Sequence, residues 1–197
     1  MIDLPLQKQY ILPPLLLISI CTLLMLIDAN SWLAFDRSLV EQQWWRIFTG
    51  QFMHTNWTHL GLNALGVVFI WILHAEHRSM PTYLYHIVFL ALWTGVGIWL
   101  FCPDIKIYTG LSGLLHGVII WGALKDIQVG MKTGALLFIG VWVKLIWEQI
   151  QGPSPEVGAL IDSRVAIEAH LIGAVGGLVL SFTILYQRLI NACSNSH

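Results

Sequence analysis

The sequence predicts an all-α membrane protein, a bundle of six transmembrane helices, and three observations carry that reading. The first is composition: of 197 residues, 56% are hydrophobic and 11% are charged, with a mean hydropathy of +0.70. Soluble domains carry about a quarter of their residues as charges, so the deficit points to lipid. The second is segmentation, because the apolar residues gather into six runs, roughly 12–28, 59–75, 83–102, 110–124, 133–150 and 165–186. A spanning helix takes about 20 residues, within a range of roughly 17–25; five runs reach it and the fourth is marginal. The third is the lack of period-two alternation in these runs, which argues against barrel strands. The length suits one domain over 1–197, and the net charge of -1 gives no footing for nucleic acid.

Taken in order, the first run could pass for a secretion signal. It lacks an A-x-A-like cleavage site and is followed by DANSW, so it reads as a retained helix. The segment 29–58 is the long connection, and Trp44, Trp45 and Arg46 within it suit interfacial anchoring. Run two contains His59 and Asn63. Run four begins in YTGLSGLLHG, Tyr108 to Gly117, where Ser112 stands between Gly110 and Gly113 and His116 follows one turn later. Run five carries Lys144 and Glu148, spaced i,i+4 to pair with each other or to line a substrate gate or hold a lipid headgroup. Run six carries His170, then Gly173 and Gly177, whose spacing lets it approach run four closely. Cys21, Cys102 and Cys193 have no metal-like or redox-like spacing. With the N-terminus inside, Lys8, Arg78, Lys125, Lys132 and Arg188 oppose Arg37, Arg46, Lys106 and Arg164, a slight bias towards N-in.

Polar residues in lipid are costly and face a bundle interior. His59, Asn63, Ser112 and His170 lie near the starts of helices two, four and six, which run in one direction, so they share a layer near one membrane face. From Ser112 to Leu124 a helix rises about 20 Å at roughly 1.5 Å per residue, against a hydrocarbon core of about 30 Å. The chain before this short helix four must therefore descend into the protein, where only protein or water can cover it. A serine hydroxyl there needs a base, and histidine is the usual one. Gly110 and Gly113 admit close approach of a substrate. The free N–H of Ser112 at a helix start, with His59 and Asn63, could form an oxyanion hole. No Asp or Glu stands out to orient the base, so the pattern predicts a Ser–His dyad. The pairs His54/His59 and His74/His77 lack a carboxylate or cysteine cluster to complete a site, so neither a metal nor another cofactor is expected.

The residues resemble the rhomboid intramembrane serine proteases along essentially all six runs: WWR at Trp44–Arg46, HTNWTHLGLN with His59 and Asn63, GLSG at Gly110–Gly113, and AHLIGAVGG at Ala169–Gly177. The resemblance implies Ser112 as nucleophile, His170 as general base, and His59, Asn63 and the Ser112 amide as oxyanion donors. It also implies a bacterial inner-membrane protein with a cytoplasmic N-terminus and a site opening to the periplasm. Many rhomboids carry an aromatic residue four positions after the serine, packed on the histidine; here it is His116, in a packing, tuning or assisting role. The compact layout and GLSGLLHG look like the rhombosortase branch, which implies membrane-anchored substrates with a C-terminal Gly-Gly motif, a transmembrane helix and a basic cluster. Transfer to an amine is a further implied outcome. Alternatives are a general rhomboid protease, a non-catalytic client-binding relative, and a small transporter. The transporter would spread its polar residues through the membrane depth.

Overall fold

The computed structural model describes residues 4–194, with side chains through Phe182. Its elements are α1 (Lys8–Leu26), α2 (Asn30–Leu33), β1 (Phe35–Asp36), α3 (Arg46–Thr49), α4 (Trp57–His74), α5 (Met80–Phe101), β2 (Ile107–Tyr108), α6 (Ser112–Gln128), α7 (Lys132–Gln151), α8 (Pro155–Ile161) and α9 (Ile167–Ser194). All six apolar runs are helical, and the chain is an all-α, multi-pass membrane bundle. Four helices are long and apolar enough to cross a membrane: Lys8–Leu26, Trp57–His77, Met80–Phe101 and Lys132–Gln151. The apolar stretch of α9 within the described residues, Ile167–Phe182, is shorter. Cys21 and Cys102 are free thiols, while Cys193 and Arg188 lie outside the described side chains.

The bundle is built round α6, which touches α4, α5, α7 and α9. Leu114, Ile120, Trp121 and Ala123 leave almost nothing exposed, so this helix is apolar for packing rather than for lipid. It begins at Ser112 as expected but runs to Gln128, beyond the expected end at Leu124. Its 17 residues rise about 25 Å, which reduces the anticipated shortfall against the bilayer. The extra turn is polar yet partnered: Lys125 Nζ donates to Gln128 Oε1 at 2.8 Å, and Asp126 Oδ1 lies 2.6 Å from His77 Nε2. Asp126 Oδ2 is also 3.3 Å from His74 Nε2, so a single carboxylate meets this histidine pair. Among the described residues, no His/Cys/Asp/Glu group has an arrangement that could hold a metal ion.

Packing of α6 against α9 is backbone against backbone. A Cβ at Gly173 would overlap the carbonyl of Gly113, one at Gly177 the carbonyl of Gly117, and one at Gly117 would sit 2.6 Å from the carbonyl of Gly173. Without a hydrophobic drive inside lipid, helices associate through such close van der Waals contact.

The 29–58 connection is more ordered than a loop reading implies. Phe35 pairs with Tyr108 and Asp36 with Ile107 in a two-residue antiparallel ladder that ties this connection to the chain entering α6. Arg46 is no interfacial anchor. It is 3% exposed, and its guanidinium donates to Gln43 Oε1, to the Ala34 carbonyl at 2.7 Å and to the Ser31 carbonyl at 2.9 Å. Trp44 is exposed, as an anchor would be, and Trp45 Nε1 donates to the Trp32 carbonyl at 3.3 Å. Arg37 caps α5 by donating to the carbonyls of Ile98, Trp99 and Cys102, each at 2.8 Å. They lie in the last turn and C-cap of α5, where carbonyls run out of helical N–H partners (Ile98 keeps one, from Cys102 N–H at 3.1 Å), and a cation at a helix C-terminus also suits the helix dipole.

Two glycine substitutions should therefore behave oppositely in thermal unfolding of the purified protein. Gly173→Ala should lose about 1–3 kcal/mol through overlap with Gly113. Gly61→Ala, on α4 where an added Cβ meets nothing within 4 Å, should be neutral or gain up to about 1 kcal/mol from helix propensity.

Candidate active site

Ser112 is the first residue of α6, so its N–H has no carbonyl one turn back within the helix to donate to. The turn before it depends on Gly110, whose φ of +117° is one that L side chains rarely adopt, and a Cβ there would lie 2.6 Å from His59 Nε2. The Tyr108 hydroxyl donates to the Gly110 carbonyl at 2.9 Å, and Gly110 N–H donates to the Gly50 carbonyl at 3.3 Å, which fixes the turn from both sides. A third bare position, Gly113, takes α9 against this turn: a Cβ there would sit 2.9 Å from the Ala169 carbonyl.

That contact brings His170, 5% exposed, to Ser112. The Ser112 Oγ to His170 Nε2 distance is 3.0 Å. On the other edge of the ring, His170 Nδ1 lies 3.0 Å from Glu148 Oε2. The expectation that no acid is placed near the base does not hold: α7 turns Glu148 inward beside α9. Lys144, one turn earlier, donates to Glu148 Oε1 at 2.8 Å and to His116 Nε2 at 2.8 Å. His116 donates from Nδ1 to the Ser112 carbonyl at 2.7 Å and stacks on His170, with ring centroids 4.2 Å apart and planes 20° apart. Lys144 and Glu148 thus pair as expected and also reach the two histidines. The i,i+4 spacing was visible in the sequence, but the rotation of α7 about its axis was not.

His59 and Asn63 are both buried on α4 beside Gly110. Asn63 Nδ2 donates to the His59 carbonyl at 3.1 Å, leaving its second N–H free. The Thr55 hydroxyl donates to the Ile161 carbonyl and lies 3.0 Å from His59 Nδ1. With its own proton committed to Ile161, Thr55 oxygen accepts from His59 Nδ1, so the neutral ring presents an unprotonated Nε2 towards Gly110. His54 stands edge-on to His59 at 5.0 Å; burial, and secondarily repulsion from His59, push its pKa down to about 3, so it is neutral.

A cavity of about 570 Å³ opens between α4 and α7 and is lined by His59, Asn63, Ser112, His116, Lys144 and His170, with apolar side chains of α4, α7 and α8 around them. Sequence reading missed α8. The signal was there: Ser154 caps the helix by accepting from Val157 N–H at 3.2 Å, and Pro155 opens it. Through the Thr55–Ile161 bond, and Asn56 donating to the Leu160 carbonyl at 3.1 Å, this short helix is tied to the entry of α4.

Comparison with known proteins covers the same residues. A family model described as the rhomboid domain matches residues 41–187. Among curated proteins, Rhomboid-like protein 11, chloroplastic, of Arabidopsis thaliana is 28% identical over 148 residues, covering 70% of this chain and 51% of that protein. The chain thus spans about half the length of this relative.

The turn before Ser112 should be sensitive on its own. Gly110→Ala combines backbone strain with contact on His59, so thermal unfolding should show a loss of about 2–4 kcal/mol. Gly130→Ala, also at positive φ but with open space around it, should lose clearly less. Equal losses at the two positions would mean that the His59 contact contributes nothing.

Proposed function

The chain belongs to the rhomboid family, and from that premise we propose that it is an intramembrane serine endopeptidase with Ser112 as nucleophile and His170 as general base. The observation that carries this reading is the 3.0 Å contact between Ser112 Oγ and His170 Nε2 on the wall of a cavity large enough for a peptide segment. Ser112 Oγ attacks the scissile carbonyl carbon while its proton passes to His170 Nε2. The carbonyl oxygen takes the negative charge and meets the Ser112 N–H and the free N–H of Asn63 Nδ2. His59 joins these donors only when its ring carries a second proton, because Thr55 holds the first at Nδ1. Collapse breaks the C–N bond, and the leaving amine takes the proton from His170. Water then attacks the acyl carbon as its proton passes to His170 Nε2; the bond between that carbon and Ser112 Oγ breaks, and His170 returns the proton to Oγ, while an amine in place of water would give transfer instead.

The substrate class we propose is the rhombosortase one: membrane-anchored proteins whose C-terminal tail has a Gly-Gly motif, a transmembrane helix and a basic cluster. Support comes from His116, which occupies the position where many rhomboids carry an aromatic residue and stacks on His170. Glycines before a helix also suit a cavity that must receive extended backbone, since they destabilise helix. The proposed setting is a bacterial inner membrane, N-terminus in the cytoplasm, with the cavity opening to the periplasm.

The test is cleavage in membranes of a reporter with such a tail. Wild type should cleave, and Ser112→Ala or His170→Ala should each reduce cleavage by at least about 10³-fold. Equal cleavage by all three assigns the activity to another protease. If wild type cleaves generic single-pass substrates but spares this tail, the substrate class is wrong while the mechanism stands.

A further inference from the structure

The geometry points to Glu148 as the positioning residue of a Ser112–His170–Glu148 relay, assembled only while α7 is packed against α9. This inference rests on the reading of Ser112 and His170 as nucleophile and base. It goes beyond that reading by adding a third member on a different helix.

The donors and acceptors around the two rings fix the tautomer of each neutral imidazole. Lys144 is a donor only, and its bonds to Glu148 Oε1 and His116 Nε2 make that histidine nitrogen an acceptor. His116 Nδ1 therefore carries the hydrogen that it gives to the Ser112 carbonyl. Glu148, ionised beside Lys144, can only accept, so His170 Nδ1 carries the hydrogen facing Oε2. In the neutral ring that leaves the His170 Nε2 lone pair directed at Ser112 Oγ, the tautomer a general base needs. Lys144 Nζ, 3.4 Å from His170 Nδ1, is a second donor facing a donor; the two are held near each other by the carboxylate they share. The other charged group nearby on α9, Glu168, is occupied by Arg164 at 2.6 Å.

During attack the Ser112 proton moves to Nε2 and stays on the imidazole, while the Nδ1 hydrogen stays in its bond to Glu148. The carboxylate takes no proton; it holds the ring and faces the new positive charge.

The relay spans two helices. Leu145, fully buried against Ile120 of α6 and Ala174 of α9, anchors α7 at this level, and Gln149 Nε2 donates to the Ile167 carbonyl at 3.1 Å. Most of α7 otherwise lies on the outside of the bundle, and Leu136, Leu137, Gly140 and Val141 of the same helix wall the cavity. Displacement of α7 by a segment entering there would pull Glu148 from His170. The base is then oriented only once the helix has returned.

The experiment is labelling of Ser112 by a fluorophosphonate probe, which needs no knowledge of the substrate. The serine oxygen attacks phosphorus, fluoride leaves, and the hydroxyl proton passes to His170. In full-length protein in membranes, Glu148→Gln should lower the maximal labelling rate about 10²-fold with half-saturation unchanged within two-fold. Glu148→Asp should recover part of it. Loosening α7 with Leu145→Ala should also slow labelling, but add nothing in the Glu148→Gln background, a non-additivity that marks a shared route. In the ¹⁵N spectrum of histidine-labelled protein, Glu148→Gln should reduce the Nδ1–H form of His170. Unchanged labelling and tautomer in Glu148→Gln would overturn the relay. Additive effects of Leu145→Ala and Glu148→Gln would overturn the dependence on α7 packing. Failure of wild type to label at Ser112 while the tautomer is as described would instead remove the underlying serine mechanism, and the relay's purpose with it.

Discussion

Everything in the site follows from the missing side chains between α6 and α9. Gly113 and Gly117 on one helix and Gly173 and Gly177 on the other let the backbones touch where any Cβ would overlap a carbonyl. Ser112 is the neighbour of one end of this seam, and His170 lies one turn before Gly173 on the other helix. A wider seam would separate oxygen and nitrogen by more than a hydrogen bond, whatever the residues were. In lipid this contact has no hydrophobic competitor, so close packing of small residues sets the helix spacing. The same seam keeps Ser112 at the start of α6, where its amide has no carbonyl in its own helix to donate to.

A second constraint holds the serine turn from the opposite side. The ladder of Phe35 and Asp36 with Tyr108 and Ile107 joins the first connection to the chain entering α6. Tyr108 and Gly50 then each contribute one hydrogen bond to Gly110. Backbone that is neither helix nor barrel is tolerated at membrane depth only when protein or a wet cavity covers it. Here the 29–58 connection and α8 provide that cover. Its arginines serve it directly, Arg46 stitching Ser31 and Ala34, and Arg37 closing the end of α5.

These arginines explain why orientation was hard to read. A charge count treats Arg37 and Arg46 as free to choose a membrane side, whereas both are tied to specific carbonyls. The helices themselves were legible because long apolar runs admit little else, and the small-residue spacing of Gly173 and Gly177 named the helix pair that makes the site. The layer of His59, Asn63, Ser112 and His170 was legible too, since helix direction alone puts their positions at one level. Glu148 was visible as a member of an i,i+4 pair, but whether α7 turned it to lipid, solvent or α9 depended on Leu145 and Gln149 finding their partners. The short helices were missed for a related reason: pieces as brief as α2 and α3 are held by tertiary hydrogen bonds rather than by any periodic pattern.

Charge neutrality ties the relay to its surroundings. An isolated ionised group deep in a bilayer costs about 2.5–3.5 kcal/mol on insertion scales and more on an isolated helix. At rest the cluster carries one cation, Lys144, and one anion, Glu148, 2.8 Å apart, with both histidines neutral. In the proposed reaction the imidazole of His170 becomes positive as the oxyanion becomes negative, so the sum is again zero. Glu148 has one oxygen for each cation, Oε1 for Lys144 throughout and Oε2 for His170 when it charges. A lone carboxylate beside His170 would bring an uncompensated charge to α7; a lone lysine would repel the imidazolium. The pair lets a helix facing lipid over most of its surface deliver an anion to the proposed base, and this is a physical reason for Lys144 and Glu148 to occur together.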